Sequence, residues 1–144
     1  GYSMISGALT LAIMVLPLIM RTSEEALKSV PVSYREASFG LGAGKLRTIF
    51  KIVLPAAMPG ILSGIILATG RIVGETAALL YTAGSVAQYA APMDSGRTLA
   101  VHMYVLSSEG LYMDKAFATA VILLVMVLLI NAVSSFFAKK ITKG

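Results

Sequence analysis

The stretch "AFATAVILLVMVLLINAVSSFFA" occupies residues 116–138 and stops at Lys139 and Lys140. It holds 23 residues without a charge, and about 20 apolar residues suffice to cross a bilayer as an α-helix. A helix is also one of the two structures that satisfy every backbone N–H and C=O inside lipid. The rest of the chain agrees with this reading. It is 57% hydrophobic and 13% charged, with no cysteine and no tryptophan, whereas soluble domains are about a quarter charged. The class is therefore an all-α integral membrane helical bundle.

Two further apolar runs lie upstream. "SMISGALTLAIMVLPLIM" covers residues 3–20 and ends at Arg21, with Pro17 near its end as a kink or a boundary. The region from Ile52 to Tyr81 is mostly apolar and would be roughly 45 Å long as one helix, longer than a hydrocarbon core of about 30 Å. Because Pro55 and Pro59 lie at its beginning, the span is expected near 59–83. That choice puts Arg71 close to the bilayer midplane. The expected layout is one transmembrane domain over 1–144, with spans at 3–20, 59–83 and 116–138. A loop over 21–55 and another over 84–115 join them.

Charge orients the layout. Segment 21–51 carries Arg21, Lys28, Arg35, Lys45, Arg47 and Lys51 against three glutamates, and the tail carries Lys139, Lys140 and Lys143. Segment 84–115 has only Arg97 and Lys115, with three acidic residues. By the positive-inside bias, the first loop and the C-terminus face the cytoplasm and 84–115 faces the other side. The formal charge of +5 is thus a topology signal, and no nucleic-acid partner is expected. No charged leader precedes the first run, so a cleavable signal peptide is not expected.

The cytoplasmic loop reads as built structure. "TSEE" (Thr22, Glu25) and "SYRE" (Ser33, Glu36) fit the capping-box pattern of a helix start. Glu24 and Lys28 form an i,i+4 pair, and Pro31 separates two short helices. A helix through Leu41 would end around Gly42, and another would run to about Leu54. In that second helix Leu46, Ile49, Phe50 and Val53 make one apolar stripe. The stripe suits either packing on the chain's own spans or docking to a partner. "GLGAGKL" is not a phosphate loop, because Leu46 follows Lys45 and Phe39 stands where the first glycine belongs. ATP is not expected to bind this chain.

Arg71 and Glu75 stand out in "ATGRIVGETAALL", residues 68–80. An ionisable group at mid-membrane costs about 2.5–3.5 kcal/mol on insertion scales and faces an interior or a watery path. On one continuous helix the two would share a face, and Gly70 and Gly74 would let a neighbouring helix approach. Two readings stand: an ion pair that fixes packing, or an arginine that meets an oxyanion through its planar fork with Glu75 holding it.

Other residues carry less. His102 is the only histidine, which excludes a multi-His metal site, and no catalytic constellation appears. Asn131 suits an interhelical hydrogen bond. Leu99, Val101, Met103, Val105 and Leu106 suggest a short helix at the interface, while Asp94, Arg97 and Glu109 read as solvated loop charges.

The segment 36–55, "EASFGLGAGKLRTIFKIVLP", resembles the EAA loop of ABC-importer permeases at Glu36, Ala37, Ser38, Gly42, Ile52, Leu54 and Pro55. The stretches "ALTLAIMVLPLIMRTSEEALKSVP", "GRIVGETAALLYTAG" and "AVILLVMVLLINAVSSFF" are similar to phosphate-importer permeases of the PstA type. That family has about six spans, so the chain corresponds to its C-terminal half. The resemblance implies a binding-protein-dependent, MetI-like permease fold with short cytoplasmic coupling helices. It implies a multi-pass subunit of the cytoplasmic (inner) membrane that imports inorganic phosphate, with Arg71 and Glu75 in the path and the seven loop residues coupling to an ATPase. The implied partners are a second permease subunit, an ATP-binding cassette ATPase dimer that uses the ATP, an external phosphate-binding protein and membrane lipid. The alternatives are a permease for sulfate, molybdate or tungstate, and a membrane assembly subunit that transports nothing. An enzyme is not expected.

Overall fold

The structure, a computed structural model, describes residues 1–143, and over them it is all-helical. The elements are α1 (Met4–Lys28), α2 (Val32–Gly40), α3 (Lys45–Thr48), a π-helical turn (Ile49–Val53), α4 (Leu54–Gly74), α5 (Ala77–Thr82), α6 (Leu99–Glu109) and α7 (Met113–Lys143). Three continuous helices are long and apolar enough to cross a membrane: Met4–Lys28, Lys45–Gly74 and Met113–Lys140. Little of each apolar window is covered by the chain itself, 11–22%, which leaves long faces for lipid or other subunits.

The first span differs from expectation at its polar end. Helix α1 continues through Arg21 to Lys28 with Pro17 inside it, so Thr22 and Glu25 form no capping box. Thr22 Oγ1 instead donates to the carbonyls of Leu18 (3.0 Å) and Ile19 (3.2 Å). The pairs Arg21–Glu25 and Glu24–Lys28, each one turn apart, favour helix over loop. The expected pair Glu24–Lys28 is thus present. Helix α2 likewise begins without a capping box. Pro31 is its N-cap, and the Tyr34 N–H donates to the Pro31 carbonyl at 3.1 Å. Ser33 sits already inside the first turn.

The helix that carries the second apolar run starts at Lys45 and stops at Gly74, so it begins before residue 59 and breaks before residue 83. Pro55 and Pro59 do not break it. The ring of Pro55 would crowd the Lys51 carbonyl and leaves it without an N–H donor. The π turn Ile49–Val53, which widens the helix just ahead of the proline, relieves that crowding. The third span extends past Lys139 and Lys140 as one helix.

The chain divides into two compact units, Pro17–Ala68 with Val133–Gly144, and Gly1–Leu16 with Thr69–Ala132. In the first, Ala26, Val30, Val53 and Ala57 form a core with Leu27 and Ile61 against it. Here α1 and α4 touch through glycines. A Cβ added at Gly60 would lie 2.7 Å from the Ala26 Cβ, and one at Gly64 2.7 Å from the Thr22 Cβ. "GILSG", residues 60–64, is therefore a small-xxx-small contact of the kind that lets membrane helices approach closely. In the second unit, Leu79, Ala83 and Val101 form the core with Met4, Leu11, Leu80 and Val105 around them. The short helix expected from Leu99 to Leu106 exists as α6. Its residues Ala100, Val101 and Leu106 are buried, so it packs inward, against α5, rather than merely resting at an interface. Thr98 caps α6, accepting from the Val101 N–H, and Gly110 ends it in the left-handed region at φ 69°.

Candidate functional site

Two places carry the residues that the sequence singles out. The first is the elbow made by α2, the turn 41–44, α3 and the π turn. Helix α2 stops at Gly40, and Gly42 takes φ +81°, a conformation that costs glycine little and an L side chain more. The Gly42 N–H donates to the Phe39 carbonyl (2.9 Å) and the Ala43 N–H to the Ser38 carbonyl (3.1 Å), which satisfies the end of α2 as in a glycine-terminated helix. The buried Ser38 hydroxyl meets the Thr48 hydroxyl at 2.8 Å, and Thr48 Oγ1 donates to the Gly44 carbonyl at 3.1 Å. These bonds clamp α2 onto α3. Arg35 Nη2 donates to the Leu27 carbonyl (3.1 Å), tying α2 to the last turn of α1.

The seven loop residues therefore divide by task. Ser38 and Gly42 hold the elbow together. Glu36 and Ala37 lie exposed on α2, Ile52 lies in the π turn, and Leu54 and Pro55 open α4. The apolar stripe of the second helix divides too. Val53 is buried in the core, whereas Leu46 (72% exposed), Ile49 and Phe50 are open, and Leu41 at the tip is 90% exposed. Lys45, Arg47 and Lys51 are exposed among them. An ordered knob with apolar residues outward and cations around them has the character of a docking element. Ser38→Ala should loosen it by about 1 kcal/mol, the net worth of one hydrogen bond. The check is amide hydrogen exchange at Gly42 and Ala43, which should speed up while α7 stays unchanged; unaltered exchange would show that the hydroxyl pair does not hold the elbow.

The second place is the end of α4. The expected continuous helix through Arg71 and Glu75 is not found: α4 stops at Gly74, residues 75 and 76 are non-helical, and α5 begins at Ala77. The Glu75 N–H reaches back to the Ile72 carbonyl (3.3 Å), a tightened last turn. The Glu75 carboxylate turns the other way and accepts from the Ala78 N–H through Oε1 (3.3 Å), a negative group at a helix start. Arg71 lies exposed in the last turn of α4, where the helix dipole favours a cation. The two side chains form no ion pair: among the described residues the ion pairs are Arg21–Glu25 and Glu24–Lys28. No proline marks this break, and the signals available were Gly74 and the β-branched Thr76, both poor helix formers.

The neighbouring helix contact is partly as expected. A Cβ at Gly70 would sit 3.8 Å from Asn131 Oδ1 on α7, but nothing lies within 4 Å at Gly74. Asn131 Oδ1 is buried without a hydrogen-bond partner, so the interhelical bond expected of that oxygen is not made.

The whole chain, residues 1–144, matches the family described as "Binding-protein-dependent transport system inner membrane component". It belongs to this family. Among relatives of the binding-protein-dependent permeases, the "Probable ABC transporter permease protein YqgI" of Bacillus subtilis is 36% identical over 99% of this chain and 54% of its own length. The "Phosphate transport system permease protein PstA" of Yersinia pestis is 38% identical over 94% of this chain and 47% of its own. The "Phosphate transport system permease protein PstA 1" of Mycobacterium tuberculosis H37Rv is 52% identical over 54% of this chain and 25% of its own. The chain spans about half the length, or less, of these curated relatives. No solved structure matches it. The chain is thus a membrane-spanning component of the binding-protein-dependent transport family, and the relatives named here are described as permease proteins.

Proposed function

We propose that this chain forms part of the translocation path of an ATP-driven importer for inorganic phosphate. What carries the reading is the break after Gly74, which leaves Arg71 exposed at the end of a span and not consumed by Glu75. Interrupted helices recur at the substrate sites of transporters, because non-helical backbone at membrane depth is tolerated where it is buried in protein or lines a cavity. A guanidinium fork there recognises a tetrahedral oxyanion in a bidentate way. A single arginine keeps binding weak enough for release, as conduction requires. Likeness to permeases named for phosphate transport favours phosphate among the oxyanions.

The elbow is the coupling element in this proposal. Its basic, apolar knob faces the cytoplasm with the C-terminus and docks in a cleft of the ATPase, which binds and hydrolyses the ATP. A second permease subunit and an external binding protein complete the machine. Two experiments on the complete transporter test this. ATP-dependent uptake of labelled phosphate should persist against excess sulfate and molybdate; competition by either would reassign the cargo. Leu41→Asp, which puts a charge at the exposed tip of the elbow, should lower uptake about thirtyfold, the loss of one interface anchor, while the permease still assembles in the membrane. Normal uptake by that variant would remove the elbow from the coupling contact.

A further inference from the structure

The segment between the second and third spans contains a cavity that neither Arg71 nor the elbow touches. It has a volume of about 400 Å³, with Gln88, Arg97, Thr98 and His102 supplying polar atoms and Ala87 and Leu99 apolar wall. Arg97, expected to be a solvated loop charge, is half-buried, and its Nε is cut off from solvent with no hydrogen-bond partner. An unmade bond at a buried cationic donor is costly. No carboxylate lines the cavity among the described residues. The nearby acid in sequence, Asp94, accepts from the Ala91 N–H through Oδ2 (3.2 Å) instead of pairing with Arg97.

The loop that presents Arg97 is held in place. Gln88 Nε2 donates to the Ser95 carbonyl (2.7 Å), Ser95 Oγ to the Ala83 carbonyl (3.0 Å), and the Gly96 N–H to the same Ala83 carbonyl (3.1 Å). The Met4 N–H donates to the Asp94 carbonyl (3.0 Å). The site is therefore preorganised. Thr98 accepts the Val101 N–H, which leaves its own O–H proton to donate. Burial, and then the charge of Arg97, push the His102 pKa below its ordinary 6.5, so His102 is a neutral imidazole at pH 7 and adds an N–H without adding charge.

We propose that this cavity is a receiving site for a tetrahedral oxyanion, with Arg97 as its charge and Thr98 and His102 as further donors. A water could occupy the Nε donor, but only an anion also neutralises the guanidinium, and an oxyanion offers enough acceptors to bridge several donors at once. A cation would meet Arg97 uncompensated, and an apolar ligand would leave its Nε bond unmade. The proposal rests on the reading that the chain carries oxyanions, and it adds a second cationic station outside the broken span.

The chain has no cysteine, so Ala87→Cys places a single reporter in it at the cavity wall. In the complete transporter, modification of that cysteine by an anionic methanethiosulfonate should outpace modification by a cationic one, and inorganic phosphate should slow both. Arg97→Gln should remove the anionic preference and the protection; Arg97→Lys should keep the preference and weaken the protection. Arg97→Gln should also raise the KM for phosphate uptake about tenfold at unchanged Vmax, the lower end for a hydrogen bond to a charged group. Protection by sulfate or molybdate but not phosphate would support the site while overturning phosphate as the cargo. Failure of all three anions to protect, or an unchanged KM in Arg97→Gln, would overturn the receiving site and leave the Arg71 reading standing. Should Arg97→Gln fail to assemble, protection in the Ala87→Cys chain and its change in Arg97→Lys decide the matter.

Discussion

Gly64→Ala should sharply reduce the amount of folded chain in the membrane, and Gly64→Val should nearly abolish it. The new Cβ of either variant falls 2.7 Å from the Thr22 Cβ, a separation that no rotamer change relieves because both atoms are fixed to their backbones. One turn earlier, Gly60 stands in the same relation to the Ala26 Cβ, so α1 cannot slide along α4 to escape. Overpacking of this kind costs about 1–3 kcal/mol when neighbours can shift, and here the shift would open the core of Ala26, Val30, Val53 and Ala57. The measurement is folded yield and thermal stability of the detergent-extracted protein. Thr22→Gly should partly rescue Gly64→Ala, whereas Thr22→Ala should not, since alanine retains the offending Cβ. Gly74→Ala serves as the control, because an added Cβ there meets nothing within 4 Å. A Gly64→Ala protein that accumulates and melts like wild type would dispose of the close crossing.

That crossing rests on "GILSG", residues 60–64, a spacing visible in the sequence, but its partners Thr22 and Ala26 lie in a segment whose charges resemble a polar loop. What was legible followed from long-range composition. Long apolar runs mark three membrane helices, and the apolar residues from Leu99 to Leu106 mark α6. Helix limits were less legible because they are decided by local competition. Arg21 to Lys28 reads as the start of a polar loop, yet its i,i+4 pairs carry α1 onward. Pro55 and Pro59 read as a boundary, yet a π turn absorbs the strain and the helix runs on. In the other direction, no proline announces the stop after Gly74. The cavity at Arg97 was beyond sequence reading altogether, because the burial of its Nε depends on a loop folded by bonds to Ala83 and Ser95 that no local pattern encodes.

Arg71→Gln should reduce phosphate uptake by the complete transporter about a hundredfold while leaving its assembly and ATPase docking intact. A guanidinium costs about 2.5–3.5 kcal/mol at the bilayer midplane and less toward a helix end, so one in the last turn of α4 still needs a compensating partner. A permanent partner is the usual compensation, but Glu75 is committed to the Ala78 N–H across the helix break, and Arg71 lies open at the end of α4. The remaining compensations are the negative end of the helix dipole, worth under about 1 kcal/mol at an exposed site, and an anion that comes and goes. Bidentate binding of an oxyanion comprises two charge-assisted bonds of about 1.5–3 kcal/mol each, and glutamine keeps at most a neutral remnant of one. Arg71→Lys should recover part of the lost rate, because charge is restored without the fork. Glu75→Gln should act differently, weakening the start of α5 and lowering the folded yield before it lowers the rate per assembled transporter. Uptake, quantified assembly and ATPase activity measured on the same preparations separate these cases. If Arg71→Gln transports normally, the arginine belongs to packing and the path lies elsewhere; if uptake and assembly fall together, its role is to hold the helices, and the proposed contact with the anion fails.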